Sequence, residues 1–178
     1  MDGGQPPVDR RVRYELVDGA LMMSPAPGDV LHQYVSSELT GQLKKAIRSE
    51  GAHYRVAAAV NVRRGTSRLH VPDIVVAARD AVRRDTMVIP IGATVLLVEI
   101  VSKSNQSQDR VYKPALYAEA GVPAYWRVEL EKPKRCVVVH ELAGETYKEV
   151  ASVTGRQAVD VAGRFTVELD VEALFDLG

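Results

Sequence analysis

The run Thr94-Val95-Leu96-Leu97-Val98-Glu99-Ile100-Val101 constrains the fold more than any other stretch, because its side chains are apolar almost throughout and one carboxylate interrupts them. It is far shorter than the ~20 apolar residues a helix needs to cross a bilayer. It also lacks the alternation of a half-exposed strand, so it reads as a central strand covered on both faces. Val71 to Ala77 has the same character. Two such strands require covering layers on either side, and 178 residues suffice for one domain with a hydrophobic core.

The remaining punctuation supplies those layers. Residues 1–13 read as a flexible tail with Gly3, Gly4, Pro6 and Pro7, and 14–178 as a single domain. Arg13 to Val17 and Ala20 to Ser24 flank Asp18-Gly19, a two-residue hairpin signal. Asp29 is placed to cap a helix in which Leu31, Val35, Leu39, Leu43 and Ile47 recur every four residues until Gly51. His53 to Val62 is β-rich, and residues 63–68 form a basic loop. Gln106 to Ala120 has helical character, but Pro114 would cost ~3 kcal/mol inside a helix. The helix either kinks there or restarts with Pro114 in its first turn. Pro123 to Leu130, Arg135 to Leu142, Glu145 to Val153 and Arg164 to Leu169 read as strands, and Val171 to Phe175 as a closing helical turn. The expected fold class is α/β with a mixed sheet, flanking helices and additional C-terminal antiparallel strands.

Composition excludes several function classes. Lys plus Arg equals Asp plus Glu at 23 each, so a polyanion would have to be held by a local patch rather than by a global field. The single cysteine, Cys136, excludes an internal disulfide and a cysteine-based zinc site and points to a reducing, cytoplasmic setting. The N-terminus is unlike a signal peptide, and no membrane partner is expected.

The chemistry centres on Glu99. A lone carboxylate within an apolar strand is costly to bury unless it pairs with a cation, binds a metal or shifts its pKa. Asp73, after Pro72, enters the other apolar strand. If the two strands are neighbours, the two carboxylates suit a hard cation such as Mg²⁺ or Mn²⁺, with water and a phosphate oxygen completing its shell. The accompanying lysine is open between two positions. Val101 occupies the nearest same-face position after Glu99, Lys103 lies roughly 13 Å along at ~3.3 Å per residue, and Lys113 follows on the next helix. Asp109 sits four positions before Lys113, on one helical face if the segment is α. Arg63, Arg64 and Arg68 are candidates for phosphate contacts. His32, His53, His70 and His140 read as packed or surface imidazoles, and Tyr117, Tyr125 and Trp126 as core aromatics.

Taken in order, Tyr14 to Gly19, the helix carrying His32, Pro72-Asp73, Glu99-Ile100-Val101-Ser102, Asp109, Lys113 and Tyr117 to Val128 resemble the bacterial Uma-two family. These are restriction-endonuclease-like proteins of the PD-(D/E)XK nuclease superfamily. The resemblance implies a restriction-endonuclease-like core and a metal-dependent endonuclease acting on DNA. It implies Asp73 and Glu99 as metal-binding acids, Lys113 as a catalytic lysine moved from strand to helix, and Glu15 as an acid reaching the site from the N-terminal hairpin. Asp109, Ser102 and Lys103 are supporting residues. The family's Ser-Pro-Ser-Thr loop is replaced here by Ser102-Lys103-Ser104-Asn105, which leaves Lys103 as a spare cation. A homodimer is expected, because cutting both strands needs two sites. The competing readings are an inactive nucleic-acid-binding or regulatory module on the same fold, and a purely structural Glu99–Lys113 pair.

Overall fold

The computed structural model of the chain describes residues 12–25, 29–101, 108–131 and 133–178. Asp18 and Gly19 both adopt positive φ (48° and 84°), the requirement of the tight turn expected from their sequence. They join β1 (Val12–Val17) to β2 (Ala20–Pro25). β1 therefore starts at Val12, one residue before the Arg13 start read from the sequence. Three further strands, β4 (Asn61–Arg64), β5 (Arg68–His70) and β7 (Val88–Pro90), complete a five-stranded sheet in the order β2-β1-β5-β4-β7. The segment read as a basic loop is thus a turn at 65–67 flanked by strand, with β4 and β5 pairing antiparallel around it. β7 escaped the sequence reading because it is three residues long and ends in proline.

The six-stranded sheet carries the central strands. It comprises β3 (Tyr54–Ala58), β6 (Ile74–Ala78), β8 (Thr94–Val101), β9 (Ala124–Glu129), β10 (Cys136–Ala143) and β11 (Thr146–Val153), ordered β11-β10-β9-β8-β6-β3. Every residue of β8 is buried, as the unbroken apolar run requires. β6 is antiparallel to β8, with Ile74 opposite Val98 and Val75 opposite Leu97. β9 is parallel to β8, with Glu99 opposite Arg127. Parallel neighbours need a crossover connection, and here it contains a π-turn (Gln108–Tyr112) running directly into α2 (Lys113–Glu119). Pro114 lies in the first turn of α2, where its missing N–H removes no helical bond. The helix restarts at the proline rather than kinking, and the α-helical spacing considered for Asp109 and Lys113 does not hold across the π-turn.

Two apolar clusters sandwich this sheet. On one face α1 (Val30–Ser49) lays Val35, Leu39, Leu43 and Ile47 against Ile74, Val76, Leu96 and Val98. The same cluster includes Val159, Leu169 and Leu174 from β12 (Arg156–Asp160), β13 (Thr166–Asp170) and α3 (Val171–Leu174). β12 was missed in the sequence because only Val159 of its five residues is buried, so no alternation marks it. On the other face Leu116 and Tyr117 of α2 meet Val75, Leu97 and Tyr125, together with Val62 and Ile89 of the smaller sheet. Asp29 caps α1 by accepting a hydrogen bond from the His32 N–H. Among the described residues no helix is long and apolar enough to cross a membrane.

Candidate active site

Continuing the β6–β8 register by one residue beyond the Ile74–Val98 pair brings Asp73 opposite Glu99. The backbone confirms the approach, since Ile100 N–H donates to Asp73 Oδ2 at 2.8 Å. Both acids are buried, with Asp73 4% and Glu99 0% exposed, so each needs compensation. They obtain it separately.

Asp73 is held by two side chains that the sequence did not single out for this purpose. Arg13 Nη2 donates to Oδ1 at 3.0 Å while its Nη1 donates to the Val71 carbonyl at 3.0 Å. His32 Nε2 lies 3.3 Å from Oδ2. Burial by itself would raise the Asp73 pKa. The contacts with His32, Arg13 and the Ile100 N–H outweigh it and hold the carboxyl below its ordinary value. Arg13 was hidden because it stands next to a Gly/Pro-rich segment, and His32 because a single histidine in a helix reads as packing. The regular stripe of α1 did carry a signal: His32 stands three positions before Val35 and shares its buried side.

Glu99 is held from α2. Lys113 Nζ donates to Oε2 at 3.0 Å and Tyr117 Oη donates to Oε1 at 2.7 Å. These donors are four apart, hence on one face of the helix. Lys113 is only 4% exposed. Burial, followed by the Glu99 charge, drives the Tyr117 phenol well above its ordinary pKa, so it remains a donor. Tyr117 is a core aromatic as expected, but its hydroxyl belongs to the site.

Glu15 is buried on β1, accepts the Val71 N–H at 2.9 Å and lies 3.9 Å from His70 Nδ1. It lines the same small depression as Lys113 and His70. The structure thus brings Asp73, Glu99, Lys113 and Glu15 into one region, joined by Arg13, His32, His70 and Tyr117. Ser102 and Lys103 lie outside the described residues, and Asp109 is described in its backbone alone. Arg64 and Arg68 are committed elsewhere: both bridge Glu119 (2.9 and 2.7 Å), and Arg68 also bridges Asp18 at 2.6 Å. Arg63 is exposed on β4.

Among the described residues no group of three or more His, Cys, Asp and Glu side chains converges as a ready-made metal cage. The donor chemistry nevertheless fits a hard cation. Asp73, just before β6, and Glu99, near the end of β8, fall at facing positions of neighbouring strands, and Mg²⁺ is commonly held by one or two carboxylates plus water and substrate phosphate rather than by an all-protein cage.

A mixed sheet with helices against both faces is the architecture of the restriction-endonuclease-like fold. The chain matches the crystal structure of a "putative nuclease belonging to DUF820" from Anabaena variabilis with a TM-score of 0.70 and 21% sequence identity, over 96% of this chain and 93% of that one. The chain belongs to the Uma2 family, described as "Putative restriction endonuclease", whose family model matches residues 5–172. A search of the curated proteins returned no match.

Proposed function

We propose that the protein is a metal-dependent endonuclease that hydrolyses DNA phosphodiester bonds. The observation that carries this reading is the facing position of Asp73, just before β6, and Glu99 on the neighbouring β8, with the Lys113 amine at 3.0 Å from Glu99. Asp73 and Glu99 would hold Mg²⁺ or Mn²⁺. When bound, the cation supplies Lewis acidity toward the phosphoryl oxygen and lowers the pKa of its water.

The chain's own residues perform the positioning. Arg13 and His32 fix the Asp73 carboxylate, and Tyr117 fixes that of Glu99, so neither has to reorganise when substrate arrives. Lys113 brings a compact positive charge to the phosphate and orients the attacking water. Glu15 adds a further acid beside Lys113. A two-fold homodimer would present two such sites to the two strands of a duplex, and sedimentation would show it.

Supercoiled plasmid provides the test. Wild-type protein should nick it only with a divalent ion, and Asp73→Asn and Glu99→Gln should abolish nicking while retaining cooperative melting. DNA and RNA left intact by wild-type protein across divalent ions would remove the reading. The buried Glu99–Lys113 ion pair favours one alternative, a catalytically inactive nucleic-acid-binding or regulatory module. DNA binding indifferent to divalent ions and to Asp73→Asn would select it.

A further inference from the structure

Beyond the acids, the same sheet face continues into a basic cleft of about 480 Å³ at the end of β9, bordered by Arg110, Arg127, Lys134, Arg135, Glu129 and Ser152. Four cationic side chains there face one carboxylate. The arrangement is organised rather than scattered. Glu129 is buried and accepts from Arg127 Nε at 2.8 Å and from Arg110 Nη2 at 2.6 Å, so one acid orients two guanidinium groups at the cleft wall. Arg135 is anchored by the Leu130 carbonyl and lies 4.8 Å over the Phe175 ring. Lys134 is exposed, and Glu131 is a second acid in Coulombic reach of Arg110.

Two features join the cleft to the candidate active site. Arg127 is the direct cross-strand partner of Glu99, hence on the same face of the sheet one strand away, ~4.8 Å along the hydrogen-bonding direction. Arg110 belongs to the π-turn that leads into Lys113. The chain's net charge is zero, so a polyanion has to be held locally. Among the described residues this cleft offers such a patch beside the acids, with four lining cations set against the single lining acid Glu129, whereas Arg64 and Arg68 together meet two acids, Glu119 and Asp18.

We propose that this cleft is the track for the DNA phosphate backbone flanking the scissile bond. Arg127 and Arg110, oriented by Glu129, contact the phosphates nearest Glu99, and Lys134 contacts one further out. The proposal rests on the nuclease reading for the word scissile, but the binding it predicts does not require cleavage.

The test is fluorescence anisotropy with a short fluorescein-labelled DNA duplex over a salt series in EDTA, for wild type, Arg110→Ala, Lys134→Ala and Arg84→Ala. Arg84 is an exposed arginine in the connector between β6 and β7. Lys134→Ala and Arg110→Ala should each weaken binding and flatten the dependence of log K on log salt by about one, while Arg84→Ala matches wild type. Melting curves report whether each variant is folded, and Lys134→Ala, at a solvent-facing position, keeps the test informative if Arg110→Ala unfolds. Wild-type affinity and slope in Lys134→Ala, equal loss in Arg84→Ala, or no wild-type binding to the duplex would overturn the proposal. Altered slopes without plasmid nicking would retain the cleft and remove the nuclease. Nicking with unaltered slopes would do the reverse.

Discussion

Glu99 and Lys113 are separated by 14 positions in the chain and by 3.0 Å in space, and both are enclosed by protein. A buried pair of this kind costs desolvation on both sides, and removing one partner strands the other. Glu99→Gln and Lys113→Met should each destabilise the fold by about 3–5 kcal/mol. The double variant should recover most of that loss, because no charge is left uncompensated. Urea denaturation of the four proteins decides it, and strictly additive single losses would show that the two groups are not coupled.

Arg13 makes two divergent hydrogen bonds, to the Val71 carbonyl and to Asp73. A lysine has a single nitrogen and cannot reproduce that fork. Arg13→Lys should lower stability by about 1.5–3 kcal/mol, the scale of one hydrogen bond to a charged group. It should also reduce nicking more than it shifts the melting temperature would suggest, since Asp73 loses an orienting contact. An unchanged protein would mean that Arg13 sits at the site without supporting it.

Tyr117→Phe deletes the donor to Glu99 Oε1 while preserving the ring in the core. The expected loss is again about 1.5–3 kcal/mol, read by thermal or urea unfolding. Wild-type stability in this variant would show that the hydroxyl contributes nothing net to holding the acid.

Burial holds the His70 imidazole below its ordinary pKa, with Glu15 opposing and Lys113 and Arg68 reinforcing the shift. Burial lowers His140 likewise, with Arg127 reinforcing it. Between the folded and unfolded values the unfolded chain binds more protons, so stability rises with pH. The contribution is complete above about pH 6.5, the ordinary imidazole value, and is lost as pH falls through the lower folded values. Proton NMR of the ring signals should give midpoints below that value for both residues. A midpoint above it for either would contradict the burial described here.

The sequence made the fold's centre legible and much of its rim obscure, for a physical reason. β8 and β6 are covered on both faces, so their apolar runs announce them, and the β1–β2 turn is announced by residues that tolerate positive φ. β12 buries a single residue and β7 is very short, so neither leaves a periodic trace. Within the site, Glu99 was legible because a charge in an apolar strand is conspicuous. Lys113 emerged through family likeness rather than spacing, since its position depends on a π-turn that helical periodicity cannot anticipate. Arg13, His32 and Tyr117 were obscured because each occupies a place where an ordinary structural role is the better guess.

That π-turn also sets a strict length requirement. Completing a revolution there takes more residues than in an α-helix, so the segment fixes the angular phase at which α2 begins. Deleting one residue from 108–112 would rotate the start of α2 relative to β8 by somewhat less than the roughly 100° per residue of an α-helix. The amine and the Arg110 guanidinium would then be misdirected together, although every side chain named in the site would still be present. Spacing in this connector therefore governs where the amine points, which a residue-by-residue comparison of identities would overlook.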